Sequence, residues 1–174
     1  MAGSARAIVP GVPHHVTQRG NRRQRVFFCE GDYRAYRDLA AHWCYFYGVE
    51  VWCYCLMPNH VHFLAVPCST DALSRAFGQV NRRYTRMVNA RQGWKGHLWQ
   101  GRFSSMVVEA CSLLATARYI EMNPVRACLS RSPEEYAWSS AAAHVNGSPD
   151  CLARGGPFEE LSPGWKAYLE LPGR

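Results

Sequence analysis

The chain has 174 residues, of which 48% are hydrophobic and 19% are charged. This composition predicts a folded domain with a substantial core and excludes a generally disordered chain. Lys and Arg outnumber Asp and Glu by 20 to 13, and nearly all of these cations are arginines. Because arginine suits bidentate phosphate contact, a polyanionic partner such as nucleic acid is the first expectation.

Eight cysteines occur without a Cys-x-x-Cys pair or a repeated spacing. Several lie in apolar runs, where a free thiol acts as a small hydrophobic group. This pattern favours a reducing compartment over a disulfide framework or a zinc ribbon. No apolar run approaches the roughly 20 residues of a membrane-spanning helix, and the N-terminus has no signal-like segment. We therefore expect a cytoplasmic protein with no membrane partner.

Hydrophobic periodicity predicts strands and helices in alternation. After a Gly/Pro-rich lead-in (1–13), strands are predicted at 14–19, 49–56, 60–66 and 103–108, and helices at about 32–47, 71–89 and 111–122. Gly48 and Pro124 mark two helix ends. The pattern predicts an α+β fold, with an antiparallel sheet, helices packed on one face and the other face free. Composition shifts to Gly and Pro near residue 147, which predicts a domain at 1–146 and a C-terminal extension at 147–174.

The stretch Met57-Pro58-Asn59-His60-Val61-His62 contains two histidines that flank one apolar residue. On a strand, alternate side chains share a face, so His60 and His62 point the same way. Two imidazoles on one face can supply two ligands to a single metal ion. Taken alone, such a pattern more often describes two half-buried histidines on an ordinary strand.

The third predicted helix places Tyr119 and Asn123 four residues apart, and therefore on one helix face. If this helix packs beside the histidine strand, Asn123 would complete a His-His-Asn metal site and Tyr119 would lie over it. A metal with open positions can stabilise charge that develops on a phosphodiester oxygen. Such an environment would assist the phenol, which is otherwise a weak nucleophile. For Tyr119 considered alone, a packed or interfacial tyrosine is the simpler interpretation.

Several motifs, in order, resemble the HUH single-tyrosine transposases, and most closely their REP-associated tyrosine transposase branch. They are His60-Val61-His62 after Leu56-Met57-Pro58-Asn59, the run from Gly96 to Arg102, and the run from Arg118 to Ala127. Pro10-Gly11, His15-Val16-Thr17 and Arg19-Gly20-Asn21 resemble that branch's N-terminal signature. The resemblance spans about residues 8–143.

This resemblance implies a ferredoxin-like HUH fold and metal-dependent cleavage of single-stranded DNA. His60 and His62 would be metal ligands, Tyr119 the nucleophile, and Asn123 the polar third ligand. The metal would be Mg²⁺ or Mn²⁺, and imidazole and amide ligands suit Mn²⁺ better than an all-oxygen Mg²⁺ site. Tyr119 would form a 5′-phosphotyrosyl link and release a 3′-OH. The expected substrate is a folded single strand from hairpin-forming, REP-like repeats.

Recognition of this DNA is assigned to basic and aromatic side chains, because single-strand binding combines arginines for phosphates with aromatic rings for unstacked bases. The predicted DNA-binding residues are Arg19, Arg22, Arg23, Arg25, Arg82, Arg83, Trp99 and Arg102. For the tryptophans, core packing is the competing interpretation, and for the helix arginines it is a solvated face.

Two other functions stay open at this stage. A non-cleaving DNA-binding regulator of repeat sequences would not need Tyr119. A metal-dependent phosphodiesterase that uses water would cleave without forming a protein–DNA adduct. Both a monomer and a homodimer are compatible with the sequence.

Overall fold

The computed structural model describes residues 8–171, with side chains for all of them except 159–163. The strands are β1 (His14–Arg19), β2 (Val49–Met57), β3 (His60–Pro67) and β4 (Ser104–Val107). The helices are α1 (Glu30–Phe46), α2 (Ala72–Gln92), α3 (Leu113–Glu121), α4 (Asn123–Arg126), α5 (Ala141–Asn146) and α6 (Phe158–Glu170). The predicted strands and long helices are present within a few residues of their expected bounds, and residues 1–7 of the predicted lead-in lie outside the described residues.

The four strands form one antiparallel sheet in the order β2-β3-β1-β4, which confirms the predicted α+β class. β2 and β3 form the expected hairpin, with Met57 opposite His60. On its other edge β3 pairs with β1, so that Thr17 lies opposite His62 and Arg19 opposite His60. Residues directly opposite each other in antiparallel strands point to the same face. The two histidines therefore share a face with Thr17 and Arg19.

One face of the sheet is covered by α1 and α2, as predicted. Phe63 of β3 packs in a core with Tyr36 of α1 and Phe77 of α2. Glycines end both helices, because Gly48 after α1 (φ +64°) and Gly93 after α2 (φ +66°) adopt left-handed backbone that other residues tolerate poorly. Because this core covers one face of the sheet, the histidines lie on the opposite face.

The opposite face, predicted to be free, is partly covered by α3 and α6. Ile120 of α3 and Trp165 of α6 pack in one cluster with Cys53, Cys55 and Leu64 of the β2–β3 hairpin. This arrangement differs from helices on one face alone, and its cause is visible in β2. The second half of β2 is apolar on both faces, so each face has to be covered.

Helix α6 lies in the predicted C-terminal extension and is attached firmly to α3. Phe158, Trp165 and Leu169 are fully or almost fully buried. Arg118 of α3 donates hydrogen bonds to the carbonyls of Tyr168 and Leu169 at the end of α6. A cation at this position also complements the negative end of the α6 dipole. The extension is thus packed onto the helix that carries the predicted nucleophile, while the boundary at residue 147 stays a prediction.

The cysteines behave as the composition suggests. All eight are free thiols, and Cys44, Cys53 and Cys55 are buried among apolar side chains. Burial raises the pKa of the Cys44 thiol to about 12, so this group stays protonated and inert. Within residues 8–171, no helix is long and apolar enough to cross a membrane.

Candidate active site

The register of β1 against β3 brings a third histidine to the predicted pair. His15 lies two residues before Thr17, the residue opposite His62, and so points to the same face. Its Nε2 atom is 2.9 Å from Nδ1 of His62, and the two rings are nearly coplanar, at 22°. The rings of His60 and His62 lie 4.9 Å apart, close to perpendicular. Three imidazoles therefore form one cluster on this face, in which His15 and His60 are half-buried and His62 is buried.

Hydrogen bonds orient the two histidines of the motif. His60 Nδ1 lies 2.6 Å from the side-chain oxygen of Asn59, whose amide nitrogen donates to the carbonyl of Arg23. An amide oxygen only accepts, so His60 carries its proton on Nδ1 and leaves the Nε2 lone pair free. On His62, Nδ1 faces His15, while Nε2 is buried and has no hydrogen-bond partner within the described residues.

The histidines of this cluster are neutral near pH 7. Burial, and then the charge of Arg19, lowers the pKa of His60 to about 4. Burial, followed by the charges of His60, His15 and Arg19, lowers the pKa of His62 to about 3. Burial also lowers the pKa of His15. Neutral imidazole is the form that binds a metal, so no proton has to be displaced at neutral pH.

Helix α3 places Tyr119 over the histidine cluster. Its ring is edge-on to His62, with centroids 5.7 Å apart, and 6.1 Å from the ring of His15. Tyr119 is 44% exposed, whereas its neighbour Ile120 is fully buried. An open groove of about 430 Å³ lies beside it, lined by His15, Tyr119 and residues of the start of α3. The phenol is thus accessible to a large substrate.

Asn123 is the first residue of α4, just after the break in the helix that Pro124 causes. Its amide nitrogen donates to the main-chain carbonyl of Tyr119, at 2.8 Å. The amide oxygen is therefore the atom left to contact a cation. In residues 8–171, no three His, Cys, Asp or Glu side chains are grouped so as to hold a metal by themselves. A cation on the histidine pair would need Asn123, substrate or water to complete its coordination, and the assignment of Asn123 stays a prediction.

Arg126, which the sequence interpretation did not select, lies beside the predicted nucleophile. Its guanidinium carbon is 5.0 Å from the centre of the Tyr119 ring. A guanidinium at this distance makes a cation–π contact with the ring and can hold a phosphate that approaches the phenol. The spacing of seven residues from Tyr119, two helical turns, was the signal available in the sequence.

The predicted DNA-binding arginines fall into two groups. The first group is exposed near the C-terminal end of β1, beside His60, where the 94–102 loop crosses. It contains Arg19, Arg22, Arg23, Arg25 and Arg102. Arg82 lines a cavity of about 390 Å³ between α2 and that loop. Arg83 instead lies over the ring of Trp43 of α1, at 4.7 Å, away from this cavity. The first group can approach a strand bound at the histidines.

Trp99 requires a correction. It is only 6% exposed, and its ring packs against Tyr36 and Tyr84 in the main core. It cannot stack on an unpaired base without leaving that core. The exposed tryptophan of the loop is Trp94, 44% exposed and edge-on to Phe28.

The basic loop and the histidine motif are physically joined. The backbone N–H of Val26 and the side chain of Asn59 link residues 23–26 to the turn before His60. Gly20 is needed at this junction, because a Cβ there would lie 2.3 Å from the carbonyl oxygen of Gln24. Motifs that are far apart in the sequence thus converge on one surface.

The model of the family described as "Transposase IS200 like" matches residues 9–123, more than half of the chain and the whole site except α4 beyond Asn123. The chain belongs to the IS200-like transposase family. The predicted family is thereby confirmed, and with it a DNA-binding, DNA-processing role. Comparison with curated proteins gives no match.

One solved structure agrees with this family at the level of the fold. This IS200-like transposase is similar to the REP-associated tyrosine transposase bound to a REP hairpin, with a TM-score of 0.69. Identity is 19%, and the match covers 90% of this chain and 93% of that one. A candidate transposase from Deinococcus radiodurans R1 is 22% identical over 68% of this chain and 95% of that one, with a TM-score of 0.48.

Proposed function

We propose that this transposase is a metal-dependent endonuclease and strand transferase for single-stranded DNA that works through a 5′-phosphotyrosyl intermediate. One observation carries the proposal. An exposed phenol, Tyr119, lines an open groove, and its ring centre lies 5.7 Å from that of His62, whose buried Nε2 has no hydrogen-bond partner within the described residues. A nucleophile beside a histidine whose ring nitrogen has no protein partner within the described residues suits metal-assisted phosphoryl transfer.

The proposed substrate is a DNA hairpin from REP-like repeats. The structural neighbour was solved with a REP hairpin, and this chain has the same fold. Exposed arginines at the end of β1 are suited to contact the phosphates of the folded strand. Arg19 lies opposite His60 in the sheet register and is therefore close to the proposed metal ligands.

The residues present fit a divalent cation, Mg²⁺ or Mn²⁺. The buried Nε2 of His62 has no partner among the residues that the structure describes, and a buried polar atom without one is costly unless it has another function. His60 offers its own Nε2 lone pair beside it, and the Asn123 amide oxygen would be the third ligand. When bound, such a cation would polarise a non-bridging oxygen of the scissile phosphate and offset the charge that develops there.

Tyr119 and Arg126 would then have separate roles in the reaction. The Tyr119 oxygen attacks phosphorus, a bond forms between them, and the bond from phosphorus to the 3′-oxygen of the preceding nucleotide breaks. The phenolic proton passes to solvent in the open groove, and the departing 3′-oxygen gains a proton. Arg126 helps to hold the phosphate beside the phenol. A 3′-OH later attacks the phosphotyrosyl link and rejoins the DNA without ATP.

A denaturing gel tests this proposal. The full chain is incubated with hairpin single strands from the repeats beside its own gene, labelled at either the 5′ or the 3′ end, with Mn²⁺. A slow species that carries only the 3′ label, disappears with EDTA and is absent in Tyr119→Phe would support the proposal. Tyr45→Phe removes an exposed hydroxyl from α1 and should leave the adduct unchanged.

The other two functions give different results in the same experiment. Cleavage without an adduct that survives in Tyr119→Phe would identify a phosphodiesterase that uses water. Tight hairpin binding with neither product would identify a non-cleaving regulator.

A further inference from the structure

His15 and Asn59 occupy equivalent positions relative to the histidine pair. The side-chain oxygen of Asn59 lies 2.6 Å from Nδ1 of His60, and Nε2 of His15 lies 2.9 Å from Nδ1 of His62. Each contact is therefore made to the same ring nitrogen of its histidine. Within residues 8–171 no hydrogen bond engages the opposite nitrogen, Nε2, of either ring, and in His62 this atom is buried.

Which nitrogen of His62 carries the proton follows from the cost of burial. A proton on Nε2 would leave a buried N–H donor with no acceptor, and orphaned buried donors are rarer than orphaned acceptors. A proton on Nδ1 is shared with His15 and leaves only a lone pair on Nε2. The hydrogen bond then runs from His62 Nδ1 to His15 Nε2, and His15 keeps its own proton on Nδ1.

We propose that His15 is a positioning residue that, together with Asn59, fixes both histidines of the motif with their Nε2 lone pairs turned toward one shared cation. The inference rests on the metal site of the proposed function and extends it to the groups behind the ligands. Hydrogen bonds from the second ring nitrogen orient metal-binding histidines, and their loss typically lowers metal affinity about 10- to 100-fold.

The surroundings of His15 support this role. Its ring is half-buried on the strand next to His62, and it approaches the Tyr119 ring only edge-on, at 6.1 Å. The two rings are close to coplanar, so the lone pair of one points along the N–H of the other. Two strands are thus held in register by a contact that also sets the orientation of His62.

Two matched variants separate positioning from packing. His15→Gln keeps an oxygen that can accept from His62 Nδ1, whereas His15→Leu keeps similar volume but has no acceptor. Urea unfolding of both confirms that they fold. Long-range ¹H–¹⁵N spectra of the metal-free proteins report which nitrogen of His62 carries the proton. Titration with Mn²⁺, followed by electron paramagnetic resonance, reports metal affinity without any DNA or turnover.

We expect His62 to carry its proton on Nδ1 in the wild type and in His15→Gln, and to lose this preference in His15→Leu. Mn²⁺ affinity should fall about 10- to 100-fold in His15→Leu and recover largely in His15→Gln. A wild-type His62 with its proton on Nε2 would overturn the inference. Equal Mn²⁺ affinity in the wild type and His15→Leu would also overturn the inference, but it would not contradict the metal site of the proposed function. Absence of Mn²⁺ binding to the wild type would overturn the metal site of the proposed function and this inference together.

Discussion

The buried carboxylate of Glu121 accepts a hydrogen bond from the indole nitrogen of Trp165, at 2.7 Å. Its other oxygen contacts Ser140 and His144, at 2.5 and 2.6 Å. Glu121 lies on α3 between Tyr119 and Asn123, and Trp165 lies on α6. One fully buried polar network therefore joins the helix of the proposed nucleophile to the C-terminal helix, on the side away from the groove. Buried polar networks of this kind specify one packing arrangement only when every member is satisfied.

Trp165→Phe should destabilise the protein by about 2 kcal/mol, because it leaves one oxygen of a buried carboxylate without its donor. Urea unfolding measures this loss. In a Glu121→Gln background the same change should cost less, since the charge-assisted bond is already absent. Trp94→Phe, on an exposed ring, is the control and should change stability by less than about 0.5 kcal/mol. Equal costs in both backgrounds would show that the indole contributes only volume.

A second buried carboxylate, Asp32, fastens the start of α1 to the end of α2. It accepts hydrogen bonds from the backbone N–H groups of Phe28 and Cys29 and pairs with both terminal nitrogens of Arg91. Burial alone would raise the pKa of Asp32, but Arg91 and the two backbone donors outweigh it and hold the pKa below its ordinary value. The contribution of Asp32 to stability is therefore complete above about pH 4 and is lost as the pH falls through the folded-state pKa.

Asp32→Asn should lower the free energy of unfolding by about 3 kcal/mol at pH 7. This value is at the lower end of the losses typical of a broken buried ion pair, because the Arg91 side chain is 42% exposed. The difference from the wild type should shrink as the pH falls below about 4. Urea unfolding from pH 7 to pH 3 measures both effects. Glu30→Gln, which removes an exposed pair with Arg34, should cost much less at every pH. A difference that does not vary with pH would rule out the charge of Asp32 as the cause.

The fold could be predicted from the sequence because its determinants are local. Alternation in β1, the apolar run of β3, the Pro58-Asn59 turn and the glycine-ended helices each depend on a few neighbouring residues. The cover provided by α6 could not be predicted in the same way. It depends on a buried partner for Glu121 that lies 44 residues away, in a segment whose Gly and Pro content suggests an extension.

The parts of the candidate site that depend on a pattern within one strand or one helix could be predicted from the sequence. His60 and His62 follow from strand alternation, and Tyr119 and Asn123 from helix spacing. His15 was missed because its contact with His62 depends on the pairing register of two strands, which no local pattern provides. Trp99 was assigned to DNA binding with core packing as the competing interpretation, and the structure shows core packing: the segment bridges to Gly20 and the ring is buried.

The low pKa of His62, about 3, predicts that acid destabilises the metal-free protein. The unfolded chain takes up a proton near pH 6.5 and the folded chain does not, so stability is greatest above that pH and falls between pH 6.5 and pH 3. For one such histidine, the free energy of unfolding should fall by about 1.4 kcal/mol for each unit of pH below 6.5. Urea unfolding in EDTA at pH 7, 6 and 5 should show it, with a shallower slope in His62→Phe. His60, whose pKa is also lowered to about 4, keeps part of the slope in His62→Phe. His42→Phe, on the exposed surface of α1, should keep the wild-type slope, and a slope in His62→Phe equal to that of the wild type would contradict the assignment.

Arg22 and Arg23 adopt left-handed backbone, at φ 52° and 61°, although neither is glycine. This conformation costs a non-glycine residue about 1–2 kcal/mol, which an exposed loop would be expected to avoid unless the side chains are needed. Arg22→Gly should therefore leave stability unchanged or raise it by up to about 1 kcal/mol, after the entropy of glycine in the unfolded chain is counted. The same change should weaken hairpin binding.

The reason for the weaker binding is the loss of a phosphate contact, so the slope of log affinity against log salt should fall by about one. Arg22→Ala separates the effect of charge on binding from the effect of backbone strain on stability, because it removes the charge and keeps the strain. It should bind the hairpin as weakly as Arg22→Gly but without the gain in stability. Arg34→Ala, on the solvent side of α1, is the charge-matched control for both. Fluorescence anisotropy of a labelled hairpin at several salt concentrations, with urea unfolding of each variant, measures the full set. Wild-type affinity and salt slope in both Arg22 variants would place the DNA elsewhere on the surface and leave the strain at this loop without a binding role.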